Sequence, residues 1–208
     1  MAILRNIALE TKDENHLWQL MLEGDKTALA ELMGYYLDAL YNYGIRFSVD
    51  RTLVEDCIQN LFMGIWQRRD FLNTPLNLKS YLFSSLRRMV LRKARLSKKV
   101  PIVFINDSES HGFDFEFSIE HTMIQQEESR IITNKINDLI TALPKRQKEI
   151  IYLKFFENLK REEIAEIMQI SPQAVSNLLQ KALKNMRSVN EVIAMTIIMF
   201  FCLNCIYL

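Results

Sequence analysis

The stretch from residue 143 to residue 187, LPKRQKEIIYLKFFENLKREEIAEIMQISPQAVSNLLQKALKNMR, decides the fold. Its middle part repeats apolar residues at helical spacing, at Ile164, Ala165 and Ile167-Met168, which predicts a short helix with one apolar face. Ser171 and Pro172 then mark the start of another helix, because serine accepts from free N–H groups and proline leaves none unpaired there. We predict three helices here, the last two forming a helix-turn-helix.

The second helix of this pair has two chemically different faces. Val175, Leu179, Ala182 and Met186 share one apolar face. The opposite face carries residues that can bond to base edges and phosphates, with no acidic group among them: Gln173, Ser176, Asn177, Gln180, Lys181 and Lys184. Such a helix suits the major groove of DNA. A merely solvated polar face is the alternative interpretation.

Composition favours an all-α protein of one or two domains. The chain has 208 residues, 49% hydrophobic, with only 5 Gly and 4 Pro, and this scarcity disfavours a turn-rich sheet protein. The net charge is +1, but the charge is segregated. Residues 71–106 contain no acidic residue, whereas residues 107–129 contain no Lys or Arg. This segregation indicates a basic working surface and an acidic connector.

Helical periodicity divides the chain into two small helical domains joined by a flexible linker, the C-terminal one containing the helix-turn-helix. We predict a leader at 1–14, a first domain at 15–96, an acidic linker at 97–122, a second domain at 123–190 and an apolar tail at 191–208. In the first domain, helices are expected at about 11–22, 27–46, 52–69 and 78–96. Capping-box spacing at Thr11 and Glu14, and at Thr52 and Glu55, is expected to open two of them.

The linker contains alternating phenylalanines at positions 113, 115 and 117. This alternation leaves two interpretations open. The linker either lies extended in a groove or is a free acidic tether.

The order of these parts resembles an ECF (extracytoplasmic function) sigma factor of bacterial RNA polymerase, in the sigma-70 superfamily. The resemblance covers roughly residues 15 to 188 and rests on VEDCIQNLFMGIWQRR at 54–69, LKSYLFSSLRRMVLRKAR at 78–95 and the C-terminal stretch quoted above. It is similar to forms common in Bacteroidetes. The resemblance implies a non-enzymatic transcription initiation factor without cofactors. The N-terminal sequence has no signal-peptide pattern, which predicts a cytoplasmic location. The implied partners are core RNA polymerase, promoter DNA and an anti-sigma factor.

The resemblance also implies roles for individual residues. The helix matching Glu55 to Arg69 would dock on the coiled coil of the largest polymerase subunit. Its candidate polymerase-binding residues are Asp56, Gln59, Phe62 and Trp66, the last two with a core role as the alternative. The helix matching Leu78 to Arg95 would melt and hold the −10 element. Its candidate DNA-binding residues are Tyr81, Arg87, Arg88, Arg92, Lys93 and Arg95. The helix beginning at Pro172 would recognise the −35 element with the six polar residues given above.

This sequence departs from the family pattern at several positions. Tyr81 stands where tryptophan is usual, and its ring either stacks on an exposed base or is buried and structural. Arg88 stands where asparagine is frequent, so the −10 base preference does not transfer. Lys160 stands where Ser or Thr usually caps the first helix of the pair. Leu178 and Leu183 replace basic residues often found in the recognition helix.

The apolar tail leaves further possibilities open. Residues 192–208 carry no charge, and 17 residues is about the shortest length that spans a bilayer core. The tail therefore folds back on the protein, binds a partner or gives a weak membrane association, with the first two favoured. Cys202 and Cys205 lack further ligands, so a zinc site is not expected.

Two other functional classes are compatible with these patterns. One is a helix-turn-helix regulator that binds palindromic duplex DNA as a dimer. The other is a membrane-tethered helical interaction protein. An enzyme is the least supported class, since the sequence has no phosphate loop or nucleophile motif.

Overall fold

The computed structural model describes residues 11–48, 50–97, 113–114 and 136–189. Every regular element in these ranges is a helix, so the prediction of an all-α protein is confirmed.

The chain forms two compact units, Met1–Pro101 and Ile102–Leu208. The predicted tail, leader and most of the linker lie outside the described residues. Within the described ranges, no helix combines the length and apolar character needed to cross a bilayer.

The first unit contains four α-helices: α1 (Thr11–Leu22), α2 (Lys26–Gly44), α3 (Arg51–Gln67) and α4 (Leu78–Ser97). A short 3-10 turn, Arg69–Phe71, follows α3. The buried core draws side chains from all four helices, among them Met21, Leu40, Ile58 and Leu86. At the end of α2, Gly44 is buried. A Cβ there would lie only 2.6 Å from Val54 Cγ1 on α3, so the close approach of the two helices favours glycine.

Aspartates open two helices of this unit. Asp25 accepts hydrogen bonds from the backbone of Thr27 (2.7 Å) and the Thr27 hydroxyl (2.6 Å), and the side-chain bond is the main cause that lowers the pKa of Asp25. Asp50 accepts from the Leu53 backbone N–H at 3.1 Å and caps α3. The predicted capping box at Thr52 and Glu55 was therefore wrong. The carboxylate two residues earlier caps the helix through the Leu53 N–H, which places Thr52 inside the helix.

The predicted capping pair of Thr11 and Glu14 stays a prediction, because the side chain of Thr11 is not among those that the structure describes. Glu14 instead accepts a hydrogen bond at 2.7 Å from the hydroxyl of Tyr36 on α2. Burial, together with this hydrogen bond, raises the pKa of Tyr36. The contact ties α1 to α2.

The second unit is described from residue 136 onward. Residues 136–141 are helical and form the described part of α5. Then come α6 (Lys145–Ile151), a π-helical turn (Tyr152–Phe156), α7 (Arg161–Met168) and α8 (Pro172–Val189). Pro144 immediately precedes α6. Buried apolar side chains from every element meet in one core: Ile140, Leu143, Ile150, Leu153, Ile164, Ile167, Val175, Ala182 and Met186.

Candidate nucleic-acid interface

A three-residue turn sets the angle between α7 and α8. Gln169 adopts a left-handed conformation with φ of 55°, and the Ile170 backbone N–H donates to the carbonyl of Ala165 at 3.0 Å. This arrangement closes the end of α7. Ser171 Oγ then accepts from the Ala174 backbone N–H at 3.2 Å, and Pro172 is the first residue of α8. The predicted Ser-Pro helix start is confirmed.

The unusual lysine before α7 is compensated by a neighbouring glutamate. Lys160 precedes the first residue of α7, and its ammonium cannot accept a hydrogen bond from the helix N-terminus. The Glu163 carboxylate accepts from the Lys160 backbone N–H at 2.6 Å, which forms one half of a capping box. The N-terminus of α7 therefore retains one of the two usual capping bonds.

The predicted polar residues of α8 lie together on its outer face. All of them are exposed except Ser176, which is half-buried and donates to the Pro172 carbonyl at 3.3 Å. Gln173 Nε2 donates to Asn177 Oδ1 at 3.1 Å. One turn further along, an open surface depression is lined by Asn177, Gln180, Lys181 and Lys184. The polar face thus has an amide-rich N-terminal part and a cationic C-terminal part.

Burial of the apolar face of α8 orients its polar face toward solvent. Val175, Ala182 and Met186 are buried, whereas Leu179 is half-buried. Leu178 and Leu183, which replace basic residues of the family, are also half-buried. They therefore flank the buried face rather than extend the polar one.

A hydrogen bond that the sequence pattern did not indicate supports the C-terminal half of α8. Asn185 Nδ2 donates to Gln147 Oε1 on α6 at 2.9 Å. Gln147 is buried, so this bond satisfies an amide oxygen inside the domain. Residues 38 positions apart form it, and no local motif signals such a pair.

The predicted −10 residues all lie on α4, in different environments. Arg88, Arg92 and Arg95 are exposed. Arg87 is half-buried with its guanidinium 6.0 Å from the centre of the Phe47 ring. Lys93 is half-buried and lies 3.6 Å from the Asp56 carboxylate on α3.

The aromatic residue of α4 rests on a tryptophan of α1. Tyr81 is half-buried, and its ring packs edge-on against Trp18 with centroids 5.8 Å apart. Trp18 is only 2% exposed. Tyr81 is therefore partly accessible, and the Trp18 ring supports it. The sequence did not reveal this support, because no local pattern links Trp18 on α1 to Tyr81 on α4.

The predicted polymerase-binding residues of α3 divide into surface and core. Asp56 and Gln59 are exposed. Trp66 is half-buried, and the Arg69 guanidinium lies 4.6 Å from the centre of its ring. Phe62 is 3% exposed, so its ring belongs to the core of the unit, the alternative given above. Neighbouring Cys57 is also buried, and burial is the main cause that raises the pKa of its thiol.

The part of the chain that the structure describes contains no group of three or more His, Cys, Asp or Glu side chains arranged to hold a metal ion. Cys202 and Cys205 lie outside it.

Comparison with known proteins assigns a family to both units. Residues 32–100 match the family profile of Sigma-70 region 2, and residues 133–186 match Sigma-70, region 4. The RNA polymerase sigma factor SigV of Bacillus subtilis (strain 168) is 30% identical over 132 residues, which cover 64% of this chain and 72% of SigV. The chain belongs to the sigma-70 family.

A second similar protein is an ECF sigma factor. The ECF RNA polymerase sigma factor SigW of Bacillus subtilis (strain 168) is 23% identical over 171 residues, covering 79% of this chain and 90% of SigW. The sigma factor RpoE of Bartonella quintana, solved in complex with the anti-sigma factor NepR, shares the fold with a TM-score of 0.52. That match has 20% identity and covers 78% of this chain and 96% of RpoE. As a member of the sigma-70 family, the chain directs RNA polymerase to promoters and acts in transcription initiation.

Proposed function

We propose that the two units of this sigma factor divide promoter recognition, with α8 binding the −35 element and α4 binding the opened −10 element. The observation that carries the proposal is the outer face of α8. It is polar, exposed and free of acidic groups, while the opposite face is buried. A helix held in this way can enter the major groove without losing its own packing.

Along α8, base recognition and phosphate binding are expected to fall on different residues. The amides of Gln173 and Asn177 suit base edges, since an amide can pair bidentately with adenine. Their mutual hydrogen bond of 3.1 Å holds both side chains at one place before DNA arrives. Lys181 and Lys184, two turns further along, suit phosphates, which fix the register of the helix on the duplex.

The exposed cations of α4 form a stripe with Tyr81 at one end. Tyr81, Arg88, Arg92 and Arg95 are separated by whole turns of the helix, so they share one face. The stripe is about 21 Å long at 1.5 Å per residue. An aromatic ring can stack on an exposed base, while the guanidinium groups contact the phosphates of a separated strand. Arg87 and Lys93 lie beside this stripe and contact Phe47 and Asp56 instead.

Core polymerase is proposed to bind α3 through Asp56, Gln59 and the accessible part of Trp66. Phe62 is left out because its ring is buried. An anti-sigma factor is proposed as a further partner, because the RpoE structure with the same fold was solved with one. The protein is proposed to work in the cytoplasm beside the polymerase, without catalysis of its own.

For the tail, folding back or partner binding is proposed in preference to membrane insertion, and the tail is proposed to be inhibitory. Removing the residues after Asn190 should then raise promoter-specific transcription by holoenzyme. Equal or lower transcription by the soluble, truncated protein would count against an inhibitory tail. Membrane fractionation of the full chain that disappears on truncation would support an anchor instead.

Footprinting of holoenzyme on a promoter tests whether α4 binds the −10 element and α8 binds the −35 element. Replacing Arg88, Arg92 and Arg95 by alanine should abolish permanganate reactivity at the −10 element and leave protection at the −35 element. Replacing Lys181 and Lys184 should weaken the −35 protection first. If the chain alone instead bound a palindromic duplex as a dimer, without polymerase, the competing regulator interpretation would replace this one.

A further inference from the structure

One segment of the linker is packed against the C-terminal unit. Phe113 is 1% exposed, and its ring lies edge-on to Tyr152 with centroids 5.8 Å apart. Tyr152 is itself buried and stacks on Phe156 at 5.5 Å. The ring of Phe113 therefore occupies a place in an aromatic cluster at the π-helical turn that precedes the helix-turn-helix.

The next linker residue makes an ionic contact with α6, the helix that leads directly into this turn. Lys148 Nζ lies 2.6 Å from Asp114 Oδ1, and the lysine side chain is only 8% exposed. A buried ammonium group needs a paired acceptor, and the linker supplies this carboxylate. Lys148 and Tyr152 are four residues apart, so they present neighbouring sites on one face. Two successive linker residues thus make an apolar and an ionic contact with one surface.

We propose that Phe113 and Asp114 anchor the linker to the C-terminal unit and thereby set the length of free chain between the two DNA-binding surfaces. The proposal rests on the division of promoter recognition given above. Without the anchor, the predicted linker beyond α4, residues 98–122, would be a tether of about 25 residues. With the anchor, the tether is residues 98–112, about 15 residues, and its root-mean-square reach falls from about 28 Å to about 21 Å.

A shorter tether changes which promoters can be bridged. The effective concentration of one DNA-binding unit at the site of the other falls roughly as the −3/2 power of tether length, so anchoring raises this concentration about twofold. Anchoring also narrows the range of separations that both units can span together. The anchor residues are therefore positioning residues that restrict the spacer between the −10 and −35 elements.

Identical insertions on the two sides of the anchor test this proposal. A flexible Gly-Ser segment of about 15 residues is inserted either between residues 106 and 107 or between residues 117 and 118 of the full chain. Both insertions lengthen the linker equally, but only the first lengthens the anchored tether. The readouts are holoenzyme transcription from promoters with graded spacers and X-ray scattering of the purified chain.

The anchor predicts that only the first insertion lowers transcription at the best spacer, by about threefold, and broadens the spacer preference. It should also raise the radius of gyration more than the second insertion does. Phe113→Ala should make the two insertions equivalent. Exchanging the charges, with Asp114→Lys and Lys148→Asp together, should restore the difference that Asp114→Lys alone removes. Asp138→Asn, which removes an exposed carboxylate from the same unit, is the matched control.

Equal effects of the two insertions in an otherwise unaltered chain, in transcription and in scattering, would overturn the anchor. Loss of all promoter-specific transcription by the unaltered chain would instead contradict the proposed function. The scattering comparison still decides on the anchor in that case, since it needs neither polymerase nor DNA.

Discussion

Replacing both Lys181 and Lys184 by alanine should reduce the salt dependence of promoter binding in a calculable way. Both side chains are exposed and line the depression on α8. Among the described residues, neither is paired with a carboxylate. Each lysine is therefore available for one phosphate. The loss of two phosphate contacts should lower the slope of log K against log salt by about 1.8.

The same slope gives the expected loss of affinity. The loss of two contacts changes the exponent by about 1.8, with equal affinities at 1 M salt as the reference. The affinity then falls about 60-fold at 0.1 M salt but only about 3- to 4-fold at 0.5 M. The loss should be equal on all promoter sequences, because phosphate contacts carry no sequence information.

The assay is the anisotropy of a labelled promoter duplex titrated with holoenzyme across this salt range. Lys145→Ala removes an exposed lysine of α6 and serves as the matched control with an unchanged slope. An unchanged slope for the double variant would remove both lysines from the interface. A loss confined to particular promoter sequences would refute their assignment to phosphates.

Three further predictions concern other parts of the molecule. Asn177→Ala should change the base preference at one −35 position by about 1–3 kcal/mol in competition binding, with similar affinity for non-specific DNA; uniform weakening would contradict this. Tyr81→Ala should reduce promoter opening about 5- to 150-fold by permanganate reactivity, whereas Tyr81→Trp should retain it; full opening by the alanine variant would exclude stacking. Gln169→Gly should stabilise the C-terminal unit by about 0.5–1 kcal/mol in urea unfolding, because glycine accepts the left-handed backbone. Asn158→Gly, at φ of 52°, should gain less because asparagine tolerates that region, and a larger gain there would contradict the explanation.

Periodicity predicted most helix boundaries to within two residues. The helix expected at 27–46 is Lys26–Gly44, and the helix expected at 78–96 is Leu78–Ser97. These helices bury one continuous apolar face, which leaves a strong repeating signal in the sequence. The same signal placed the polar residues of α8 on one face, where the structure shows them together.

Caps and long-range contacts were less predictable. Asp50 and Thr52 both lie near the start of α3, and only the geometry of the chain shows that Asp50 forms the cap. The contacts of Trp18 with Tyr81, and of Phe113 with Tyr152, join residues far apart in sequence, so no local pattern identifies them. Phe62 illustrates the converse limit. Family resemblance assigned Phe62 to the polymerase-binding surface, but its side chain is buried in the core. Only the structure shows whether such a residue is accessible to a partner or packs inside the unit.

Run-off transcription with purified core polymerase tests the central claim most directly. The template is a promoter selected by the holoenzyme, compared with versions in which the −10 or the −35 element is scrambled. We predict one defined transcript that requires both elements and the addition of this chain. No defined transcript with the full or tail-truncated protein, or a transcript indifferent to either element, would contradict the division of recognition between α4 and α8.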